Sequence, residues 1–139
     1  MNKPKVSIVI VNYNGKNLLE ALLKSISRSN YRNYEIIVVD NNSSDGSREL
    51  LRKNYKKVKL VDNKKNLGYS GINSALKYCT GSYILFLNND MELDRNSLRK
   101  AVSTIESDKD IAMIAPKLVN FYNKNFFYKI QNNLAFFEF

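Results

Sequence analysis

The feature of this sequence that most constrains its fold is a regular alternation of short apolar runs and amphipathic segments. The apolar runs, rich in β-branched residues, occupy residues 6–11, 35–40, 58–61, 83–87 and 111–115. A run that is apolar at nearly every position is typical of a strand buried on both faces, as in a parallel sheet. Segments with helical spacing follow each of the first four runs. The alternation therefore predicts an α/β domain with a mainly parallel sheet and helices on both faces.

The predicted helices carry their apolar residues on one side, which we expect to pack against the sheet. These residues are Leu18, Leu19, Leu22, Leu23 and Ile26 in the first helix, and Ile72, Ala75, Leu76 and Cys79 in the third, residues 68–79. A fourth helix is predicted over residues 96–105.

The residue types narrow the chemistry that the chain can perform. The chain contains no histidine and one cysteine, Cys79. This excludes Ser-His-Asp and Cys-His catalytic sites, histidine-based metal sites and a disulfide framework. No apolar run is long enough to span a bilayer, and no signal-peptide pattern is present. We therefore expect a cytoplasmic protein whose chemistry depends on carboxylates, amides, hydroxyls and lysines.

The net charge of +9 arises from 22 basic and 13 acidic residues and is concentrated in one stretch. Residues 48–65 contain eight lysines and arginines against two acidic residues. Such a surplus suits an anionic partner, either nucleic acid, a phosphorylated metabolite or an acidic membrane surface, but a solvated helix face with its connecting loops is the more ordinary explanation. Because no nucleic-acid-binding module is recognisable, we do not expect a nucleic-acid partner.

Polar clusters follow the first four predicted strands. They are residues 12–15, 40–43, 63–68 and 88–90, which are rich in Asn, Asp, Ser and Gly. Turn formation explains each cluster separately. However, the carboxyl ends of parallel strands meet at one edge of a sheet, and ligands of such sheets bind there. The clusters together therefore predict a ligand-binding rim.

Three residues of this rim suggest specific chemistry. Asp40 ends a buried strand, so its carboxylate needs hydrogen-bond donors, and a nucleobase imide N–H is one. Tyr13 offers a face on which a base can stack, with ordinary loop packing as the alternative. Asp90 offers a ligand to a hard cation such as Mg²⁺ that bridges carboxylates to phosphates, although a solvated turn before the next helix fits as well. The P-loop and dinucleotide-binding glycine patterns are absent from the expected positions.

Four strings of the sequence closely resemble the nucleotide-binding half of family 2 glycosyltransferases, which have the GT-A fold. They are VSIVIVNYNG, EIIVVDNNSSDGS, NLGYSGINSALK and YILFLNND. The variants VNYNG and LNND are most similar to the rhamnosyltransferase-like branch. The resemblance implies inverting transfer of a sugar from a UDP- or dTDP-linked donor to a glycan or lipid-linked acceptor in cell-envelope or surface-polysaccharide synthesis. It also implies a divalent metal, Mg²⁺ or Mn²⁺.

The resemblance further implies donor-binding roles for nine residues and a metal-binding role for Asp90. The nine are Val11, Tyr13, Asn14, Asp40, Asn66, Gly68, Asn73, Asn88 and Asn89. Asp40 corresponds to the aspartate that reads the donor's base. Asn88-Asn89-Asp90 takes the place of the family's Asp-x-Asp motif, and asparagine at its first position removes one negative charge from the metal site.

The resemblance divides the chain into a nucleotide-sugar-binding half, residues 1–120, and an aromatic-rich tail, residues 121–139. The tail holds eight of the sixteen aromatic residues and is interpreted as the start of a missing acceptor half. We accordingly expect a truncated enzyme whose catalytic base lies beyond the C-terminus. The tail is also a candidate for homo-oligomer or membrane-surface contact, which would place the protein at the inner face of the membrane. The alternative function is a catalytically incomplete interaction module that pairs through this tail.

Overall fold

The structure is a computed structural model that describes residues 3–116. Its strands are β1 (Val6–Asn12), β2 (Tyr34–Asp40), β3 (Lys59–Asp62) and β4 (Tyr83–Asn88). Its helices are α1 (Lys16–Ser27), α2 (Ser47–Asn54) and α3 (Ser97–Ile105), with a 3-10 helix, Gly68–Tyr78, between β3 and β4. All three strand pairings are parallel, which confirms the predicted α/β class.

The strand order of the sheet is β3-β2-β1-β4, so β1 is central. The chain proceeds outward from β1 to β2 and β3, and then returns to place β4 on the other side of β1. The order therefore reverses at β1. In open α/β sheets, this reversal leaves a crevice outside the carboxyl ends of the two strands that flank it, here β1 and β4.

One face of the sheet packs against the 3-10 helix. Val9, Ile37 and Val39 of the central strands form a buried cluster with Ile72 and Ala75 of that helix. Burying each large aliphatic side chain contributes about 1.5 to 3 kcal/mol to stability. The residues between them, which point to the opposite face, are buried as well, because Ile8, Ile10 and Val38 are 0% exposed. The central strands are therefore covered on both faces, as their composition predicts.

Two leucines predicted to face inward are exposed instead. Leu76 is 44% exposed and Leu18 is 52% exposed. For Leu76 the reason is the helix type, because a 3-10 helix has three residues per turn and aligns positions i and i+3. Ile72, Ala75 and Tyr78 therefore share the packed side, and Leu76 lies off it. Leu18 lies on the solvent side of α1, whose other apolar residues are buried.

The prediction of a fifth strand over residues 111–115 is wrong, since these residues have no regular secondary structure. Met113 within them is 71% exposed. An apolar run becomes a strand only where a neighbour completes its hydrogen bonds, and no strand in residues 3–116 pairs with this run. The prediction that every strand is covered on both faces also fails at β4, an edge strand whose Ile84 and Phe86 are 41% and 43% exposed.

The chain divides into two compact units, Met1–Leu98 and Arg99–Phe139. The first contains the whole described sheet, and the described part of the second contains most of α3 and the residues up to 116. The predicted tail, residues 121–139, lies outside the described residues, so its boundary, its oligomer contact and its membrane contact stay predictions. In the described part of the chain, no helix is long and apolar enough to cross a membrane.

A polar cluster ties the strands together at the amino end of the sheet. The Glu35 carboxylate accepts hydrogen bonds from Lys5 Nζ (2.8 Å), Ser7 Oγ (2.6 Å) and the Thr80 backbone N–H (2.7 Å). Burial, the largest single effect, raises the pKa of Glu35, but these hydrogen bonds together lower it to about 2. Gly81 fits tightly here, because a Cβ on it would lie 2.6 Å from the Ser7 nitrogen.

Candidate functional site

A cleft of about 360 Å³ lies at the carboxyl edge of the sheet, beside the reversal of strand order. It is lined by Val11, Tyr13, Asn41, Asn66, Gly68, Tyr69, Asn88, Asn89 and Asp90. All four polar clusters that follow the strands contribute to this lining. The structure therefore brings together residues that the sequence separates by up to nearly eighty positions, as parallel strands require.

Seven of the ten predicted site residues line this cleft: Val11, Tyr13, Asn66, Gly68, Asn88, Asn89 and Asp90. Asn14, Asp40 and Asn73 do not. Asn73 is exposed on the 3-10 helix. Asn14 has a left-handed backbone with φ of 48°, and it braces the next loop. Its backbone N–H donates to Ser43 Oγ (2.9 Å), and its Oδ1 accepts from the Ser44 N–H (2.8 Å).

The Asp40 side chain is fully buried and satisfied by the chain itself. Its Oδ2 accepts from Asn12 Nδ2 (2.9 Å) and Ser43 Oγ (2.8 Å), and its Oδ1 accepts from the Ser43 backbone N–H (2.7 Å). Arg48 Nε lies 3.9 Å from Oδ1 and adds a favourable charge. The donors that a buried carboxylate needs are thus internal. Contact of Asp40 with a nucleobase stays a prediction.

Asn41, the residue after Asp40, lies on the cleft and was not among the predicted site residues. Its Nδ2 donates to the Gly68 carbonyl (2.7 Å), and its Oδ1 accepts from Asn63 Nδ2 (2.9 Å). A Cβ on Gly71 would lie 2.5 Å from Asn41 Oδ1, so only glycine lets the 3-10 helix approach this closely. The available signal was position, because Asn41 is the first residue beyond the buried strand.

Asn12, the last residue of β1, is fully buried and connects the loops that follow β2 and β4. Its Nδ2 donates to Asp40 Oδ2 (2.9 Å) and to Ser43 Oγ (3.2 Å), while its Oδ1 accepts from Asn89 Nδ2 (2.8 Å). Gly15 makes room for this last bond, since a Cβ there would lie 2.0 Å from Asn89 Nδ2. Because every partner is distant in sequence, no local pattern identifies Asn12 as a hub.

Two tyrosines border the cleft with much of their surface exposed, one in the loop after β1 and the other in the first turn of the 3-10 helix. Tyr13 follows β1 and is 49% exposed, and Tyr69 follows β3 and is 61% exposed. Gly68, with a left-handed φ of 57°, turns the chain just before Tyr69, and its N–H donates to Asn66 Oδ1 (2.8 Å). Exposed aromatic faces in a cleft are suitable surfaces for stacking a planar ring. Tyr69 was not among the predicted site residues.

Asp90 is exposed at the cleft and is the only carboxylate among the lining residues. Residues 3–116 contain no group of three or more acidic or cysteine side chains that could hold a metal ion without further ligands. A Mg²⁺-type site needs less, because the ion keeps several waters and bridges one or two carboxylates to substrate phosphates. Asp90 and Asn88 both line the cleft and carry side-chain oxygens of the kind that such a site uses, and a bound ligand would complete it.

The basic run is not part of the cleft lining. Arg48 and Arg52 pair with Asp62 at 3.3 and 3.1 Å, so part of this charge serves to hold α2 to β3. The lysines of residues 53–65 are exposed. This arrangement agrees with the interpretation of the run as a solvated face.

Residues 7–139 match the family model described as glycosyl transferase family 2. The chain belongs to this family. The family 2 chain is 35% identical over 100 residues to UDP-Glc:alpha-D-GlcNAc-diphosphoundecaprenol beta-1,3-glucosyltransferase WfgD of Escherichia coli, covering 70% of this chain and 40% of that protein. It is 33% identical over 124 residues to poly(ribitol-phosphate) beta-glucosyltransferase of Bacillus spizizenii, covering 84% of this chain and 20% of that protein. The chain thus spans less than half the length of either relative.

Solved structures show the same architecture. Staphylococcus aureus TarS 1-349 in complex with UDP-GlcNAc matches with a TM-score of 0.68 and 27% identity, over 74% of this chain and 31% of that one. The mannosyltransferase PcManGT from Pyrobaculum calidifontis in complex with GDP-Man and Mn²⁺ matches with a TM-score of 0.72 over 82% of this chain and 34% of that one. At 24% identity, the second match shows the fold alone. The predicted GT-A fold is confirmed, whereas the rhamnosyltransferase-like branch stays a prediction.

Proposed function

We propose that this chain is the donor-binding part of an inverting glycosyltransferase that takes a UDP- or dTDP-linked sugar. The observation that carries the proposal is the composition of the cleft at the reversal of strand order. Its lining combines exposed aromatic faces, Tyr13 and Tyr69, with the Asn88-Asn89-Asp90 motif. A nucleoside diphosphate needs both a stacking surface for its base and a cation-binding oxygen for its phosphates. The similarity to the TarS complex with UDP-GlcNAc supports the same class of ligand.

Each part of the donor has a matching part of the cleft. Tyr13 would stack with the base, and the exposed Asn66 would face its polar edge and the ribose, with the buried Asn41 holding Gly68 in the cleft wall. Asp90 would hold a divalent cation, Mg²⁺ or Mn²⁺, on the diphosphate. Such a cation stabilises negative charge on the leaving nucleoside diphosphate. In this arrangement the chain's own residues bind the donor through both its base and its diphosphate.

The acceptor site and the catalytic base are proposed for the whole enzyme. Inverting transfer needs a base that removes the proton from the attacking hydroxyl. Asp90, the one carboxylate of the cleft lining, is assigned to the metal. We propose that an acceptor half outside residues 3–116 supplies the base. WfgD is named for a diphosphoundecaprenol acceptor, and this supports cell-envelope glycan synthesis at the cytoplasmic face of the membrane.

Isothermal titration calorimetry of the 139-residue chain with UDP and dTDP tests the proposal. We expect binding that strengthens when Mn²⁺ or Mg²⁺ is added. Tyr13→Ala should weaken it by roughly tenfold, because stacking a base on an aromatic ring contributes about 1 to 3 kcal/mol. Asp90→Asn should abolish the metal-dependent gain, whereas Glu92→Gln, a change at an exposed carboxylate nearby, should preserve it. Absence of binding for every nucleoside diphosphate would refute the proposed function.

A further inference from the structure

A donor that is bound in the cleft must contact both ends of the cleft at once. The base end is formed around Tyr13 and Asn41, and the diphosphate end is formed by Asn88 and Asp90. Building on the proposed function, we propose that Asn12 is a positioning residue that couples these two ends through the side chain of Asn89. Asn12 itself is fully buried and does not line the cleft.

Asn12 forms hydrogen bonds toward both ends of the cleft. Toward the base end, its carbonyl oxygen accepts from the Asn41 backbone N–H at 2.8 Å. Toward the diphosphate end, its Oδ1 accepts from Asn89 Nδ2 at 2.8 Å. Asn89 is the middle residue of Asn88-Asn89-Asp90. Fixing its side chain fixes the peptide groups on either side of it, and hence where Asn88 and Asp90 stand at the cleft.

The side-chain amide of Asn12 has one favourable orientation. Its nitrogen faces two oxygens, Asp40 Oδ2 and Ser43 Oγ, and its oxygen faces the Asn89 amide nitrogen. Turning the amide over would direct its oxygen at the Asp40 carboxylate and leave buried groups unpaired, which is costly. The buried Asp40 carboxylate therefore selects the orientation of Asn12 that holds Asn89.

Gly15 leaves space for the hydrogen bond between Asn12 and Asn89. A Cβ at this position would lie 2.0 Å from Asn89 Nδ2 and 3.0 Å from Asn12 Oδ1. The φ of Gly15 is −123°, so the contact with Asn89, and not a left-handed backbone, is what favours glycine here. Gly15→Ala should thus displace the Asn89 side chain while leaving the bond between Asn12 and Asp40 in place. It breaks the bond between Asn12 and Asn89 and leaves the residues at the two ends of the cleft, Tyr13, Asn41, Asn88 and Asp90, unsubstituted.

The test compares uridine, which reaches only the base end, with UDP plus Mn²⁺, which reaches both ends. Calorimetry is run on the 139-residue chain, on Gly15→Ala, on Asn89→Ala and on the double variant. We expect each single variant to weaken binding of UDP with Mn²⁺ by roughly 3- to 10-fold, the size of one hydrogen bond, and to change uridine affinity by less than about twofold. Asn17→Ala, a change at an exposed asparagine in the first turn of α1, is the matched control and should change neither affinity.

Because Gly15→Ala and Asn89→Ala remove the same bond, the double variant should bind UDP with Mn²⁺ no more weakly than either single variant. Equal losses for uridine and UDP would indicate a merely structural role and overturn the inference, as would additive losses in the double variant. If Gly15→Ala fails to fold, Asn89→Ala alone decides by the same comparison. A parent chain that binds neither UDP nor dTDP overturns the proposed function and this inference with it, whereas UDP binding that both variants leave unchanged overturns the inference alone.

Discussion

Replacing Glu35 by glutamine should destabilise the fold at neutral pH and change how its stability depends on pH. The Glu35 carboxylate accepts hydrogen bonds from Lys5, Ser7 and Thr80, and its pKa falls from 4.5 to about 2. A group whose pKa is lower in the folded protein stabilises the fold fully above its unfolded pKa. That contribution is lost as the pH falls from about 4.5 toward 2. Glutamine has no charge to lose, so its contribution should stay constant over this range.

The magnitude follows from the size of the pKa change. One pKa unit corresponds to about 1.4 kcal/mol, so the decrease to about 2 sets a ceiling of roughly 3 kcal/mol. The side chains of Glu35 and Lys5 are 24% and 37% exposed, and water screens their attraction. We therefore expect Glu35→Gln to lower the free energy of unfolding by about 1 to 2 kcal/mol at pH 7.

Urea unfolding followed by far-ultraviolet circular dichroism, at several pH values between 7 and 2.5, measures this difference. The gap between the parent and Glu35→Gln should be widest above pH 5 and should narrow as the pH falls. Glu49→Gln, a change at an exposed carboxylate on α2, is the control and should follow the parent curve. A gap between parent and Glu35→Gln that stays constant over the whole range would refute the assignment of the lowered pKa to this cluster.

Two glycine substitutions test close contacts elsewhere in the fold. Gly81→Ala would place a methyl group 2.6 Å from the Ser7 nitrogen and 2.7 Å from the Lys5 oxygen, which are backbone atoms. It should lower the free energy of unfolding by about 1 to 3 kcal/mol in urea titrations, and a variant as stable as the parent would contradict this packing. Gly71→Ala would place a methyl group 2.5 Å from Asn41 Oδ1 and so displace the Asn41 side chain from the cleft. Calorimetry should show weaker UDP binding, and an unchanged affinity would mean that Asn41 takes no part in it.

The central strands were predictable because their signal is local. The runs at residues 6–11 and 35–40 correspond to β1, Val6–Asn12, and β2, Tyr34–Asp40, within one residue at each end. β-branched residues in an unbroken apolar run favour a doubly covered strand wherever they occur. The similar apolar run at residues 111–115 forms no strand, because a strand also needs a neighbouring strand to complete its hydrogen bonds, and none within residues 3–116 pairs with this run. The sequence of the run does not show whether such a neighbour is present.

The candidate site was predictable as a location but not in its detail. Strand ends in a parallel sheet meet at one edge, so the clusters that contain Tyr13 and Asp90 could be placed together in advance. Whether a side chain of a cluster lies at the cleft changes from one residue to the next along the chain. Asp40 and Asn41 are adjacent and both are buried in internal hydrogen bonds, yet only Asn41 is part of the cleft lining. The bonds of Asn12 join distant loops and become visible only in the folded chain.

The central position of β1 has a consequence for the order in which the molecule assembles. During synthesis, β1 can pair with β2 early, but its other edge waits for β4 and for Asn89, which lies 77 positions after Asn12. Contacts over so long a stretch form slowly because the intervening chain must first be ordered. Until β4 arrives, an apolar strand has one unpaired edge, which is a site for association with other chains. Fragments that end before residue 83 should therefore aggregate more readily than longer ones.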